Sequence, residues 1–367
     1  MVEPRIPLSY NPIDIDALTQ TLKKYEHVHH SQIITDFETE IRQLTGARYV
    51  VAVNSGTSAI HLALRAVGVG QGDEVLVSTF TFIATVNPII YLGAKPIFID
   101  SEAITWNIDP VLLEQALEAS KKKGKMPKAI VVVHTYGMPA QMDSILQIAK
   151  HYKVPVVEDA AEAIGATFYD KHLGTLADVG VLSFNHNKIA TAYGGGAILT
   201  DNKSFFDKVT LWAAQAGVSY APYTYEELGY NYKIGPLNAA AGLVSLANLQ
   251  QNLLARRTIF DFYRTELAGL PLVSYQQELE HTQCNYWLSC FCLGDKAFTI
   301  LKALADQNIE ARPVWKPMHL QPAFASSPCL VNGTSKNLFN SCLCLPSGHQ
   351  LSRIDLGKIA NSLKILL

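Results

Sequence analysis

Short runs of apolar, largely β-branched residues recur through the first half of the chain, at 49–53, 74–78, 96–100, 129–134, 154–158 and 179–184. Each is too short for a helix and too continuously apolar for a strand with one wet face, so the pattern predicts buried strands. Between several of them lie amphipathic stretches such as 109–119 and 142–152, whose apolar residues return at helical spacing. Strands alternating with helices predict an α/β fold, a mainly parallel sheet covered by helices on both faces. In such a sheet functional groups gather at the carboxyl ends of the strands. An Ala- and Leu-rich helical pattern then runs from 236 to 268, and the strand-like 286–293 and helical 296–307 read as a smaller α+β unit. The expected division is a large domain over residues 1–245 and a small C-terminal domain over 246–367.

Composition narrows the choice. A chain of 367 residues is longer than one hydrophobic core usually spans, and 49% apolar with 17% charged residues excludes a largely disordered chain. The net charge of −2, without a long basic tract, gives no electrostatic support for nucleic-acid binding. The run Lys121, Lys122, Lys123, Lys125 sits between a predicted helix and a predicted strand and reads as a solvated loop. No stretch has the length and apolarity of a membrane span, and the N-terminus has no leader-like apolar region. All six cysteines (Cys284, Cys290, Cys292, Cys329, Cys342, Cys344) lie in the last quarter, at spacings of neither a zinc pair nor a disulfide framework. They read as buried small hydrophobes, and a cytoplasmic location follows as the expectation. His29 and His30 lack supporting carboxylates or cysteines, so no metal site is expected.

Three segments carry chemistry. At 53–59 a strand gives way to Asn54, Ser55, Gly56, Thr57 and Ser58 and then an apolar helix, which offers free N–H groups and hydroxyls to a phosphate. An ordinary capped helix has the same look. At 156–162 two adjacent carboxylates, Glu158 and Asp159, end a buried strand; alternation turns them to opposite faces, so one is free to be structural. Asp159 reads either as the partner of a protonated ring nitrogen or as half of a core salt bridge. At 183–188 the sequence Ser-Phe-Asn-His-Asn-Lys ends a buried strand on Lys188, and Gly194, Gly195 and Gly196 follow. Glycines allow close approach to a planar ligand, and a lysine so placed can form a Schiff base and move protons.

Taken in order, Asn-Ser-Gly-Thr-Ser-Ala, Thr-Phe-Ile-Ala-Thr at 81–85, Glu-Asp-Ala-Ala-Glu, Ser-Phe-Asn-His-Asn-Lys and Gly-Tyr-Asn-Tyr at 229–232 resemble the DegT/DnrJ family of sugar aminotransferases over nearly the whole chain. The resemblance implies a fold-type-I, pyridoxal 5′-phosphate-dependent enzyme that acts as a homodimer with its sites at the interface. It implies Lys188 as the Schiff-base lysine and Asp159 as the partner of the pyridine nitrogen. Gly56, Thr57, Ser58 and Ser183 would hold the phosphate, joined by Asn231 from the neighbouring subunit. Phe82 would stack on the ring, and Glu162 would lie near its hydroxyl side. His186, Arg312, Trp315 and His319 are candidate substrate contacts, the last three equally readable as an interface cluster.

Within the family the resemblance is to 4-aminotransferases of UDP-linked 4-keto-6-deoxy-HexNAc sugars, through 94–100, 105–110, 134–140, 312–322 and 344–348. It implies a nucleotide-sugar acceptor and an amino-acid donor, glutamate by likeness. His186 stands where that subgroup commonly has Gly, Lys233 replaces an arginine, and Gln215 to Gly217 lacks another. Other keto-sugars on dTDP or GDP, or a non-catalytic regulator of the same fold, are the alternatives. A related dehydratase would lack the lysine, and no GxGxxG follows a predicted strand to support an NAD enzyme.

Overall fold

The structure, a computed structural model, describes residues 5–218 and 224–367. The first four residues, part of the segment read for a leader, lie outside the described residues. The apolar runs form β1 (Tyr49–Val53), β2 (Glu74–Ser78), β3 (Lys95–Ile99), β4 (Ala129–Val133) and β5 (Val156–Asp159). A small hairpin of β6 (Thr167–Phe168) and β7 (Lys171–His172) precedes β8 (Val179–Ser183) and β9 (Gly196–Thr200). The main sheet has the order β1-β9-β8-β5-β4-β2-β3, with Cys329–Leu330 added at the far edge. All neighbours are parallel except β9, which runs antiparallel to both β8 and β1. β1, β2, β4, β5 and β8 therefore end on one rim of the sheet, and β9 enters at that rim through Gly196.

Alternation along the strands builds two cores. Val50, Ala52, Leu76, Ile130, Val132, Val156 and Leu182 face one way, where α2 (Ser31–Thr45), α5 (Pro110–Lys122), α6 (Met142–Tyr152) and α8 (Pro236–Ala247) cover them. Their neighbours Val51, Val53, Val75, Val77, Val131, Val157 and Val181 face α3 (Gly56–Ala66), α4 (Ile83–Tyr91) and α7 (Lys203–Ala213). The period of two thus sorts each strand between two helical layers.

The helical pattern over 236–268 is two helices, α8 and α9 (Leu249–Glu266), because the chain leaves helical geometry at Asn248 (φ −100, ψ 4). There Asn248 donates its backbone N–H to the Ser245 carbonyl, and its side chain takes the Val244 carbonyl at 3.2 Å, so local bonds replace the helical ladder. Beyond it, Ser289–Leu293 lies between Val273–Tyr275 and Cys342–Leu345 in an antiparallel four-stranded sheet that Arg312–Pro313 completes. A third core joins this sheet to α9 and two later helices through Phe260, Tyr263, Phe291, Leu304, Leu343 and Ile359.

The cysteines depart from expectation. Register places Cys292 opposite Cys342 and Cys290 opposite Cys344, and the first pair is joined as a disulfide. Cys284, Cys290 and Cys344 are buried thiols as expected, whereas Cys329 is exposed. Cross-strand register, invisible in sequence spacing, brings together residues 50 apart. The reducing compartment inferred from these residues no longer follows from them. Among the described residues no helix is long and apolar enough to cross a membrane, and no group of three or more His, Cys, Asp or Glu could hold a metal.

Candidate active site

A cavity of about 680 Å³ opens at the rim where the strands end. Its floor is built by the turn after β1 and the ends of β4, β5 and β8, and its far wall by Glu310, Arg312, Pro313, Trp315 and Trp287. Gly56, Thr57, Phe82, Asp159, Glu162, Ser183, His186, Lys188, Arg312 and Trp315, all singled out from the sequence, line it.

Lys188 is at its centre. Its Nζ lies 3.1 Å from Glu162 Oε1 and 4.0 Å from the centroid of the Trp287 ring. Asn11 Nδ2 holds the Lys188 carbonyl at 2.5 Å, and the Trp287 indole N–H holds that of Asn187 at 2.8 Å. Buried Arg256, from α9, bonds both supports: Asn11 Oδ1 at 3.0 Å and the Trp287 carbonyl at 2.7 Å. Burial pushes the Glu162 carboxyl up to about 7 against the opposing pull of Lys188. The second Glu162 oxygen accepts the Tyr136 N–H at 2.9 Å, and Tyr136 stands in the left-handed region at φ 57.

The two carboxylates of β5 divide as alternation predicts. Glu158 is fully buried, accepts from the N–H groups of Gly174, Leu176 and Ala177, and pairs with His134 Nε2 at 2.9 Å. Asp159 faces the cavity, and burial raises its carboxyl above the usual range while Thr85 opposes the shift. Its oxygens accept from the Thr85 hydroxyl at 2.7 Å and the Ala161 N–H at 3.1 Å. Glu158 is structural; Asp159 is aimed at the cavity.

The β1–α3 turn supplies a positive end. Ser55 caps α3 by accepting the Ser58 N–H at 3.0 Å, which leaves the N–H groups of Gly56 and Thr57 to face the cavity. Gly56 lies close against β8, where a Cβ would stand 3.1 Å from Ser183 Cβ and press on that side chain. The glycine run serves two purposes. A Cβ on Gly196 would lie 2.5 Å from the Ser55 carbonyl oxygen, so this glycine lets β9 reach the β1–α3 turn, while Gly194 and Gly195 line the cavity.

Three expected residues do not line the cavity. Ser58 is buried and donates its hydroxyl to Asn54 Oδ1 at 2.7 Å, occupied in shaping the turn. His319 is bound to Thr79 at the end of β2, its ring Nδ1 2.7 Å from the hydroxyl, as an interface residue would be. Asn231 is exposed, bridges Ala214, and its carbonyl accepts from Asn54 Nδ2 at 3.3 Å. Phe82 is 56% exposed at the start of α4, not in the core that its apolar context suggests. Arg312 pairs with Glu310 at 2.9 Å, and both line the cavity. Sequence reasoning assigned no role to Thr85, Tyr136, Asn11, Arg256 or Trp287. Thr85 and Tyr136 lay inside the runs that carry the resemblance, but the others read as core or polar connector.

An amine beside a buried acid, a second buried carboxyl facing the cavity, and a helix N-terminus with two hydroxyls form a donor set for a small planar aldehyde with an anionic arm. The comparisons agree with that chemistry. The profile of the DegT/DnrJ/EryC1/StrS aminotransferase family matches residues 11–364. EpsN of Bacillus subtilis (strain 168), a candidate pyridoxal phosphate-dependent aminotransferase, is 40% identical over 89% of this chain and 86% of its own. GDP-perosamine synthase of Caulobacter vibrioides is 34% identical over 92% and 90%. The crystal structure of the sugar aminotransferase CalS13 from Micromonospora echinospora superimposes with a TM-score of 0.89 at 26% identity, over 98% of this chain and 99% of that one.

Proposed function

The chain belongs to the DegT/DnrJ/EryC1/StrS aminotransferase family and is a pyridoxal-phosphate-dependent sugar aminotransferase; from that premise we propose that it aminates a UDP-linked 4-keto-6-deoxy-HexNAc with L-glutamate as donor. The observation that carries the chemistry is the Lys188 amine held beside Glu162 at 3.1 Å, in the cavity that Asp159 also faces. The choice of sugar rests on the sequence runs at 312–322 and 344–348, of which Arg312, Trp315 and Cys344 line the same cavity. The GDP-perosamine synthase likeness makes a GDP-linked 4-keto sugar the second reading.

Pyridoxal phosphate, when bound, supplies the aldehyde that carries nitrogen and the ring that takes up electrons when a C–H bond beside nitrogen breaks. Lys188 binds it covalently and, once freed, holds and returns a proton at Nζ. The N–H groups of Gly56 and Thr57, with the hydroxyls of Thr57 and Ser183, bind the phosphate at the positive end of α3. Asp159 pairs with the protonated ring nitrogen, its carboxylate held by Thr85 and Ala161. Phe82 covers the ring, and Glu162 keeps the Lys188 proton close. His186, Arg312 and Trp315 at the cavity wall meet the sugar nucleotide. Asn231 completes the phosphate site of a second subunit in a homodimer.

The test is amination followed by mass spectrometry. Protein with cofactor and glutamate is offered UDP-, dTDP- and GDP-linked 4-keto-6-deoxy sugars, with Lys188→Ala as control. Product from the UDP-linked N-acetylated sugar alone is expected. Product only from the GDP-linked sugar moves the assignment to the second reading, and full turnover by Lys188→Ala removes Lys188 from its role.

A further inference from the structure

Trp287 has no part in the assignment above, yet its ring is in contact with the reacting amine. The Lys188 Nζ lies between two groups of different kind: the Glu162 carboxylate at 3.1 Å and the Trp287 indole face, with the ring centroid 4.0 Å away. A cation over an indole face is attracted by the negative π surface, more strongly where water is excluded. Trp287 is buried and lines the cavity.

The placement of this ring is over-determined. Its backbone N–H donates to Asn285 Oδ1 at 2.9 Å, its carbonyl accepts from Arg256 at 2.7 Å, and its indole N–H holds the Asn187 carbonyl at 2.8 Å. Its face is near-parallel to Tyr136, at 18° and 6.1 Å between centroids. Asn285 also donates to the carbonyls of Glu162 and Ile164, at 2.8 and 2.9 Å, so one side chain sets both walls of the Lys188 slot.

We infer that Trp287 is a catalytic residue whose indole face holds the freed Lys188 side chain, opposite Glu162, at the point from which it transfers protons. The inference rests on Lys188 being the cofactor lysine. When the donor amino group takes the place of Lys188, Nζ leaves as a free amine on a long, flexible side chain. It must then accept the proton of the donor α-carbon, whose C–H electron pair passes to the cofactor ring, and return that proton. Trp287 and Glu162 keep the resulting ammonium from swinging into solvent.

The experiment compares Trp287→Leu and Trp287→Phe with the wild type and with Lys188→Ala, all full-length. For Trp287→Leu, kcat is expected to fall about tenfold or more in both half-reactions while KM for donor and acceptor stays within about twofold. The isotope effect with α-deuterated glutamate rises, because proton transfer becomes limiting. The cofactor-free protein, assayed at a temperature where the variant is still fully folded, also captures pyridoxal phosphate more slowly. Trp287→Phe, which keeps a ring face, recovers most of both. An unchanged isotope effect and capture rate in Trp287→Leu overturns the inference, as does a loss shared equally by Phe and Leu with a lowered melting temperature. Lys188→Ala separates the two assignments: if it stays active the reading of Lys188 fails, and if it alone is inactive only the role of Trp287 fails.

Discussion

Glu162 shows how one side chain can be held in two minds by its surroundings. Burial raises its carboxyl from the ordinary 4.5 to about 7, while Lys188 at 3.1 Å pulls the other way. The folded protein keeps this proton in a window where the unfolded chain has lost it. The stability it lends is therefore complete below about 4.5 and drains away as pH rises through about 7. In the cofactor-free protein, Glu162→Gln has no such proton to lose. Its melting temperature should gain on the wild type across this window, by the equivalent of roughly 1–3 kcal/mol. Parallel pH curves for the two proteins would rule out Glu162 as the source. Glu158, four residues earlier on the chain, has the opposite fate: three N–H donors and His134 satisfy it inside the fold.

At the scale of elements, the proposed phosphate site depends on two of them meeting without side chains between. The start of β9 presses against the turn into α3, where a Cβ on Gly196 would stand 2.5 Å from the Ser55 carbonyl oxygen and 2.7 Å from the Gly56 nitrogen. Backbone on both sides cannot step aside as a side chain does. Gly196→Ala should cost about 1–3 kcal/mol in unfolding free energy. By spreading the turn it should also weaken cofactor binding in an equilibrium titration, with Lys188 untouched. Wild-type affinity in this variant would mean the turn tolerates the shift. That these glycines mattered was legible in the sequence. The run was read as room for a ligand, and Gly194 and Gly195 do line the cavity, whereas Gly196 makes room for the turn into α3, which only the register of β9 on β1 brings against it.

Across the whole molecule, the N-terminal segment ties the two sheets to the lysine loop. Ile6 bridges Ile309 beside the smaller sheet, Leu8 donates to Glu310, and Asn11 holds the carbonyl of Lys188. Arg256 locks this path with bonds to Ser9, Asn11 and Trp287. Its guanidinium is fully buried among neutral acceptors, and burial lowers it to about 9. Arg256→Met would strand two buried acceptors, Asn11 Oδ1 and the Trp287 carbonyl, and the half-buried Ser9 hydroxyl. A loss of about 3 kcal/mol or more is expected in urea unfolding, together with slower cofactor capture through the loosened loop. A variant as stable as the wild type would show that the segment holds without its clamp.

By itself the sequence determined the strand and helix alternation, singled out Lys188, Asp159 and the turn at Gly56 as candidates, and through their order pointed to the family. These are local facts: a period of two or of three and six-tenths, a cap, a carboxylate at the end of a buried run. The tertiary structure decided what depends on distance in space. It set β9 between β1 and β8, paired Cys292 with Cys342, and split one helical pattern at Asn248. It withdrew Ser58 and His319 into hydrogen bonds of their own and brought Trp287 and Arg256 to the lysine. Such residues look like ordinary core or connector in one dimension. Their roles come from partners as far as 247 residues away, as between Arg256 and Ser9, and only packing and cross-strand register bring those partners within reach.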